Sequence, residues 1–425
     1  MGRSLLECLR QAQERSPEIR NAALDLRLAE LAQQSSAAAF YPQVGAAGSQ
    51  VLLGDDLTGA RIQNPPQWSS GVTYEAAMTA DWNLFRSTRD WRSWRSARAV
   101  TGQARQNLIE KKQELALKVV QAFTEVLKQR KLAEVEQKTL LQRRDRLVQA
   151  RTLFENGSRS YSDTLGQLTQ VNAAERSLSL RISAAREAGA QLTFLLGEDP
   201  AQDLTLEELA DKAPELPFQS LEVPSRDLAL KQRPELQAQR YAIEARRESW
   251  NRAWLEQLPL LSLDGSFSKD IGLYGKDRAL WTHTGQGDEN SVWRVTAKLS
   301  VPLFEGFANQ AAADTAGALE AQADNLMESL RRQVLLEVRL ACLNLEQSLR
   351  TLALDKELVE AARKNLAEVQ RGYENGTASL YEVNDADTEF LSASIGQVNT
   401  LYDTRASLAR WKRAVGSDLM GMEKP

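Results

Sequence analysis

Two stretches of this 425-residue chain spell nearly the same turn at widely separated positions. Ala150 to Ser158 reads ARTLFENGS, and Val369 to Thr377 reads VQRGYENGT, an offset of 219. Gly197 and Gly416 share that offset, as do Phe85 and Phe304, whereas Pro17 with Pro234 and Pro42 with Pro259 lie 217 apart. The two-residue difference therefore enters between Pro42 and Phe85. A period this long is too large for a solenoid repeat and describes a duplicated half, each copy carrying one full set of elements.

What each copy contains follows from its periodicity. Leu5, Leu9, Ile19, Leu24, Leu28 and Leu31 recur at helical spacing from Ser4 to Ala39, broken at Pro17, and the pattern returns from Ser225 to Leu258. The period then changes to two. Val72, Tyr74, Ala76, Met78, Ala80, Trp82 and Leu84 alternate with polar or small residues in the first copy. In the second copy Leu261, Leu263, Gly265 and Phe267 do the same, as do Trp293, Val295, Ala297, Leu299, Val301 and Leu303. A weaker run begins at Pro42. These are strands with one apolar face, of about the 8 to 13 residues that a tilted strand needs to cross a bilayer. Polar loops rich in glycine and proline, Gly54 to Gly71 and Lys269 to Ser291, lie between them.

Helical spacing resumes at about Arg86 and continues to Glu155 with one glycine and no proline. Val119, Val126, Ala133, Leu140, Leu147 and Phe154 fall seven apart, and so do Val338, Leu345, Leu352, Val359, Leu366 and Tyr373. Such a seam predicts a coiled coil, and 70 helical residues extend roughly 105 Å. Each long helix stops at Asn-Gly and a return helix follows. The two Asn-Gly steps also begin glycosylation triplets, but a reversal with positive φ accounts for them without a sugar. The expected organisation is a first repeat at 1–197, with strands near 42–51 and 72–85, a long helix 86–155 and a return helix 160–196. A linker at 198–224 holds Pro200, Pro214, Pro217 and Pro224. A second repeat follows at 225–416, with strands near 260–268 and 292–304, a long helix 306–374 and a return helix 379–414, before a tail at 417–425.

Several function classes are excluded. The single histidine, His283, and the isolated Cys8 and Cys342 make no zinc or redox constellation, and no phosphate loop or nucleophile–base pair is present. No enzyme activity, cofactor or metal is expected. Acidic and basic residues, 57 and 53, are interspersed, so no basic tract suits nucleic acid. No run of 18 apolar residues predicts a membrane helix, and the N-terminal residues show no secretory h-region. Four amphipathic strands cannot close a barrel, and lipid does not tolerate open edges, so several chains must complete one. The competing reading is a soluble coiled-coil scaffold, which explains the heptads but not the strands.

The order of helix, strand pair, long helix, Asn-Gly turn and return helix, twice over, resembles the TolC-like outer membrane efflux proteins. The run VPLFEGF at 301 to 307 and the turn GYENGT at 372 to 377 carry the same resemblance. It covers nearly the whole chain. It implies a mainly α protein with a membrane β-barrel: a homotrimer whose 12-stranded barrel in the outer membrane continues into a 12-helix α-barrel in the periplasm. It further implies a passive exit duct for efflux or type I secretion, served by an inner-membrane transporter and a periplasmic adaptor. The location implied is the outer membrane of a Gram-negative bacterium, with a signal peptide removed from this chain.

Residue by residue, the resemblance places Tyr373 at a tyrosine of the periplasmic gate, Glu382 and Asp385 at two acidic rings, and Asp163 at a first-copy aspartate. The family's second-copy arginine falls on Ala378, and Arg159 in the first turn is the expected substitute cation, contacting Glu382 or Asp385. Ser379 with Glu382, and Ser160 with Asp163, also read as capping boxes. A ring of three carboxylates concentrates cations, so cation preference and block by multivalent cations are expected. Asn156, Gly157, Asn375 and Gly376 form the turn tips and the expected adaptor contacts. Tyr41, Tyr74, Trp82, Trp281 and Trp293 are the expected aromatics at the outer membrane lipid interface, with Phe304 a further candidate. Trp91 and Trp94, beside Arg92 and Arg95, are expected just beneath the membrane.

Overall fold

The structure is a computed structural model and describes residues 2–53, 71–86, 88–157, 160–202, 204–207, 222–275 and 291–417. Its helices are α1 (Leu5–Arg15), α2 (Pro17–Ala37), α3 (Arg89–Glu155), α4 (Tyr161–Leu195), α5 (Glu222–Gln232), α6 (Pro234–Leu255), α7 (Ala308–Glu374) and α8 (Leu380–Val415). A short 3-10 turn, Ala38–Phe40, follows α2. The strands β1 (Gln43–Leu53), β2 (Gly71–Phe85), β3 (Leu260–Gly275) and β4 (Ser291–Ser300) form one antiparallel sheet in chain order. The chain is thus mainly helical with a small sheet.

Prolines set the helix breaks. Pro17 and Pro234 each begin a helix, where the missing N–H is one of the groups a helix start leaves unpaired anyway, and the preceding residue ends the helix before it. Ser16 sits at φ −63° and ψ 124°, the extended conformation that a following proline enforces. At the N-terminus Ser4 and Glu7 close a complete capping box on α1.

The strands differ from the expected bounds in informative ways. The weak run at Pro42 becomes an 11-residue strand, because β2 supplies it with a full ladder from Gln43 opposite Asp81 to Leu53 opposite Gly71. The third strand continues past Ser268 to Gly275, through residues that read as loop, because β2 pairs it as far as Gly71 opposite Gly275. The fourth stops at Ser300 rather than 304, just short of Pro302, which has no N–H for a ladder. At the other end of the linker Glu222–Pro224 belongs to α5, Pro224 being tolerated in a first helical turn. The tips of both strand-connecting loops lie outside the described residues.

The chain divides into two compact units. The first comprises Met1–Leu26, Gln103–Arg240 and Asn325–Pro425. Its core joins Leu5, Cys8, Leu9 and Ala12 of α1 to Val119, Phe123 and Val126 of α3, Leu192 of α4 and Ala409 of α8. The heptad residues Val119, Val126, Val338 and Leu345 are fully buried, whereas Phe154 at the end of its seam is 42% exposed. Gly197 and Gly416, at φ +69° and +84°, end the return helices at equivalent places, each packed on a helix break: Gly197 against Arg15, Gly416 against Gln232 and Arg233.

The second unit, Arg27–Gly102 with Tyr241–Asp324, holds the sheet. Buried Arg89 gathers carbonyls at the end of α6 and just beyond it: its guanidinium donates to the Leu255, Glu256 and Leu258 carbonyls at 2.9, 3.1 and 2.6 Å and pairs with the Glu256 carboxylate at 2.9 Å. Arg92 and Arg95 both reach Glu248. The strand-to-helix junctions carry Thr88 at φ +62° and Phe307 at φ +65°, left-handed residues 219 apart in the sequence.

Candidate functional site

The two helical reversals are built alike and finished differently. In the first, Gly157 takes φ +72° and its N–H donates to the Phe154 carbonyl at 2.9 Å. Ser160 caps α4 by accepting from the Ser162 amide, and the rings of Phe154 and Tyr161 meet at 5.3 Å. Asp163 does not complete a capping box there, which corrects the expectation: the serine bonds to the second helical amide rather than the third. In the second reversal Gly376 takes φ +76°, and the Gly372 carbonyl accepts from the Thr377 and Ala378 amides and the Thr377 hydroxyl. Ser379 and Glu382 do form the complete box. The Ser379 amide, and then its hydroxyl, hold the Glu382 carboxyl below its usual range.

The expected aperture residues are thus distributed as follows. Tyr373 is half-buried in the last turn of α7 and Asp163 half-buried in the first turn of α4. Glu382 and Asp385 are exposed, three residues apart at the start of α8. Arg159 lies outside the described residues. Asn156, Gly157, Asn375 and Gly376 are all exposed.

Two residues beyond Asp385 on α8, Asp387 is buried, a charge at a position where the seam would ordinarily be apolar. Its Oδ2 accepts from Arg143 Nε at 3.3 Å and its Oδ1 pairs with Arg146 at 2.9 Å, both on α3. Beside it, buried Gln167 of α4 donates from Nε2 to Asn384 Oδ1 at 3.1 Å. The sequence reading missed this group. Its available signal was Arg143, placed between Leu140 and Leu147 of the seam.

The aromatic candidates fall at three levels of the sheet. Tyr41 and Trp82 are exposed near the start of β1 and the end of β2, and the Trp82 indole donates to the Phe40 carbonyl at 3.3 Å. Tyr74 lies in β2 opposite Gln50 and Gly272, eight residues and about 26 Å along the strand from Trp82. Trp293, 76% exposed, pairs in register with Phe267, between those levels. Trp281 lies outside the described residues. Phe304 is exposed and edge-on to Phe307 at 5.5 Å. Trp91 and Trp94 stack at 5.0 Å on α3, with the Arg98 guanidinium 5.7 Å from the Trp94 ring.

Among the described residues no cluster of metal-binding side chains occurs and no helix is long and apolar enough to cross a membrane. What the chain offers instead is an open four-stranded sheet joined to long paired helices.

Comparison with known proteins places this arrangement. The profile of the outer membrane efflux protein family matches residues 8–198 and 226–417. The outer membrane protein TolC of Vibrio cholerae is 24% identical over 97% of this chain and 91% of its own length. That of Escherichia coli is also 24% identical, over 97% and 82%. Among solved structures, CusC superposes with a TM-score of 0.84 at 17% identity, covering 97% of this chain and 92% of its own. VceC of Vibrio cholerae superposes at 0.81 and 16% identity, covering 97% and 96%.

Proposed function

The chain belongs to the outer membrane efflux protein family, and on that premise we propose that three copies assemble into one continuous exit duct. Membership makes the protein an outer membrane exit channel of tripartite efflux systems, a passive conduit rather than an enzyme. In the proposed assembly each chain contributes its four strands to a 12-stranded barrel and its α3–α4 and α7–α8 hairpins to a 12-helix barrel in the periplasm. The observation that carries this is the open sheet: β1 and β4 are its edges, and a membrane-embedded edge must be paired by another chain. Duplicated halves, two in each of three chains, give the pseudo-sixfold arrangement that such a ring needs.

The duct ends at the helical reversals. Asn156, Gly157, Asn375 and Gly376 present the adaptor contacts, and Glu382 and Asp385 line the aperture, with Tyr373, Asp163 and Arg159 beside them. The adaptor and the energised inner-membrane transporter supply substrate and work. Tyr41, Trp82 and Tyr74 mark the two lipid interfaces, consistent with their separation along β2, and Trp293 lies between. The structural repeats run as 1–197 and 222–416, joined by the segment 198–221.

Planar-bilayer recording of detergent-extracted protein tests this reading. Small, cation-selective currents blocked by lanthanum ions are expected, with the block weakened at least tenfold by Asp385→Ala. Full solubility without detergent and no insertion would instead establish the scaffold reading.

A further inference from the structure

Near its start, α8 fully buries mainly short side chains. Between Val383 and Ala393 its buried residues are Val383, Ala386, Asp387 and Ala393, three small apolar side chains and one acid. On α4, buried Gln167 bonds to Asn384 of α8, while Val171 and Ala174 pack against Leu140 and Leu147 of α3. The fully buried apolar side chains of α8 here are short, so they mark its register only weakly. What interrupts the seam is Asp387, 4% exposed, between Arg143 and Arg146, with Gln167 and Asn384 bonded alongside. Displaced by one turn, about 5.4 Å, the carboxylate would leave both guanidiniums and bury its charge without a partner. That cost makes a buried polar contact a better register mark than a stabiliser.

The flanking charge has the matching sign. Residues 138–170 carry six basic and three acidic groups, whereas the equivalent residues 357–389 carry three basic and eight acidic. Asp387 is the member of the acidic set that reaches buried Arg143 and half-buried Arg146 of the basic one.

We propose that Asp387, seated between Arg143 and Arg146, is a positioning residue that sets the axial level of α8 against the first hairpin and so the level of Asp385 two residues before it. The inference rests on the channel reading above. In a threefold assembly it would bring three Asp385 carboxylates to one height, which is what makes them a single ring rather than a staggered set.

The test is lanthanum block of single channels in Asp387→Ala, Asp387→Glu and the combined apolar variant R143M/R146M/D387L, each first checked for trimer formation and helix content. We expect Asp387→Ala to retain its trimer and conductance while block weakens at least tenfold, and Asp387→Glu to restore block to within about threefold of wild type. If Asp387→Ala does not assemble, the combined variant decides, since it keeps the layer filled but carries no charge mark; weakened block is expected there too. Wild-type block in an assembled Asp387→Ala or combined variant would overturn the proposal. Absence of current in the wild-type protein would overturn the channel reading itself, and the two failures are thus distinct.

Discussion

At the scale of single residues, the glycines separate backbone strain from crowding. Gly376 sits at φ +76°, and a Cβ there would meet nothing within 4 Å, so only the left-handed backbone resists a side chain. Gly376→Ala should cost about 1 kcal/mol. Gly416 has φ +84°, and its added Cβ would also lie 3.2 Å from the Arg233 amide and the Gln232 carbonyl carbon. Gly416→Ala should therefore lower the apparent Tm further than Gly376→Ala; equal shifts would mean that the α5–α6 junction yields freely. Asn-Gly turns at 156 and 375 were readable from the sequence because so few residues tolerate that conformation. Asp387 was not, since an acid in a helix is ordinarily solvated, and only the arrival of two arginines from α3 makes its burial affordable.

Elements are where local signals and packing compete. The breaks at Pro17 and Pro234 were visible because proline acts through its own ring. The extent of β3 was not, because Lys269 to Gly275 has little intrinsic strand character and becomes a strand through its pairing with β2. On α3, Glu110 shows how a helix face can be poorly matched. Burial, and then the nearby Glu235, raise its pKa, against the opposing pull of Lys111 and Arg413. A carboxyl whose folded pKa lies above its unfolded value disfavours folding when charged, and the penalty disappears as pH falls below the unfolded value of about 4.3. Glu110→Gln should consequently stabilise the protein at pH 7 by less than about 1 kcal/mol after screening, and leave stability unchanged near pH 3.5. A thermal unfolding series across pH distinguishes this from a gain independent of pH. Glu114, four residues on, is the opposite case: hydrogen bonds from Lys111 and then Lys118 lower its pKa to about 2, so its contribution is present above the unfolded value and fades as pH falls toward 2.

For the whole molecule, the proposed trimer makes strand formation depend on assembly. The helices satisfy their own backbone groups within one chain, but β1 and β4 are open edges, which the proposed barrel pairs with neighbouring chains. Refolding into detergent should yield helical circular dichroism at any protein concentration, whereas resistance of the sheet to proteolysis should rise steeply with concentration as trimers form. Concentration-independent protection would contradict shared barrel closure. The duplication, the heptad seams, the reversals and the alternation of the strands were determined by the sequence itself, because each is a periodic or steric property of neighbouring residues. The tertiary structure alone decided where strand ladders end, which carbonyls Arg89 collects, and which acid is buried. The β2–β3 pairing, the Arg89 contacts and the burial of Asp387 join groups more than 150 residues apart, and the free energy of a charge or an unpaired peptide is set by what surrounds it rather than by what precedes it in the chain.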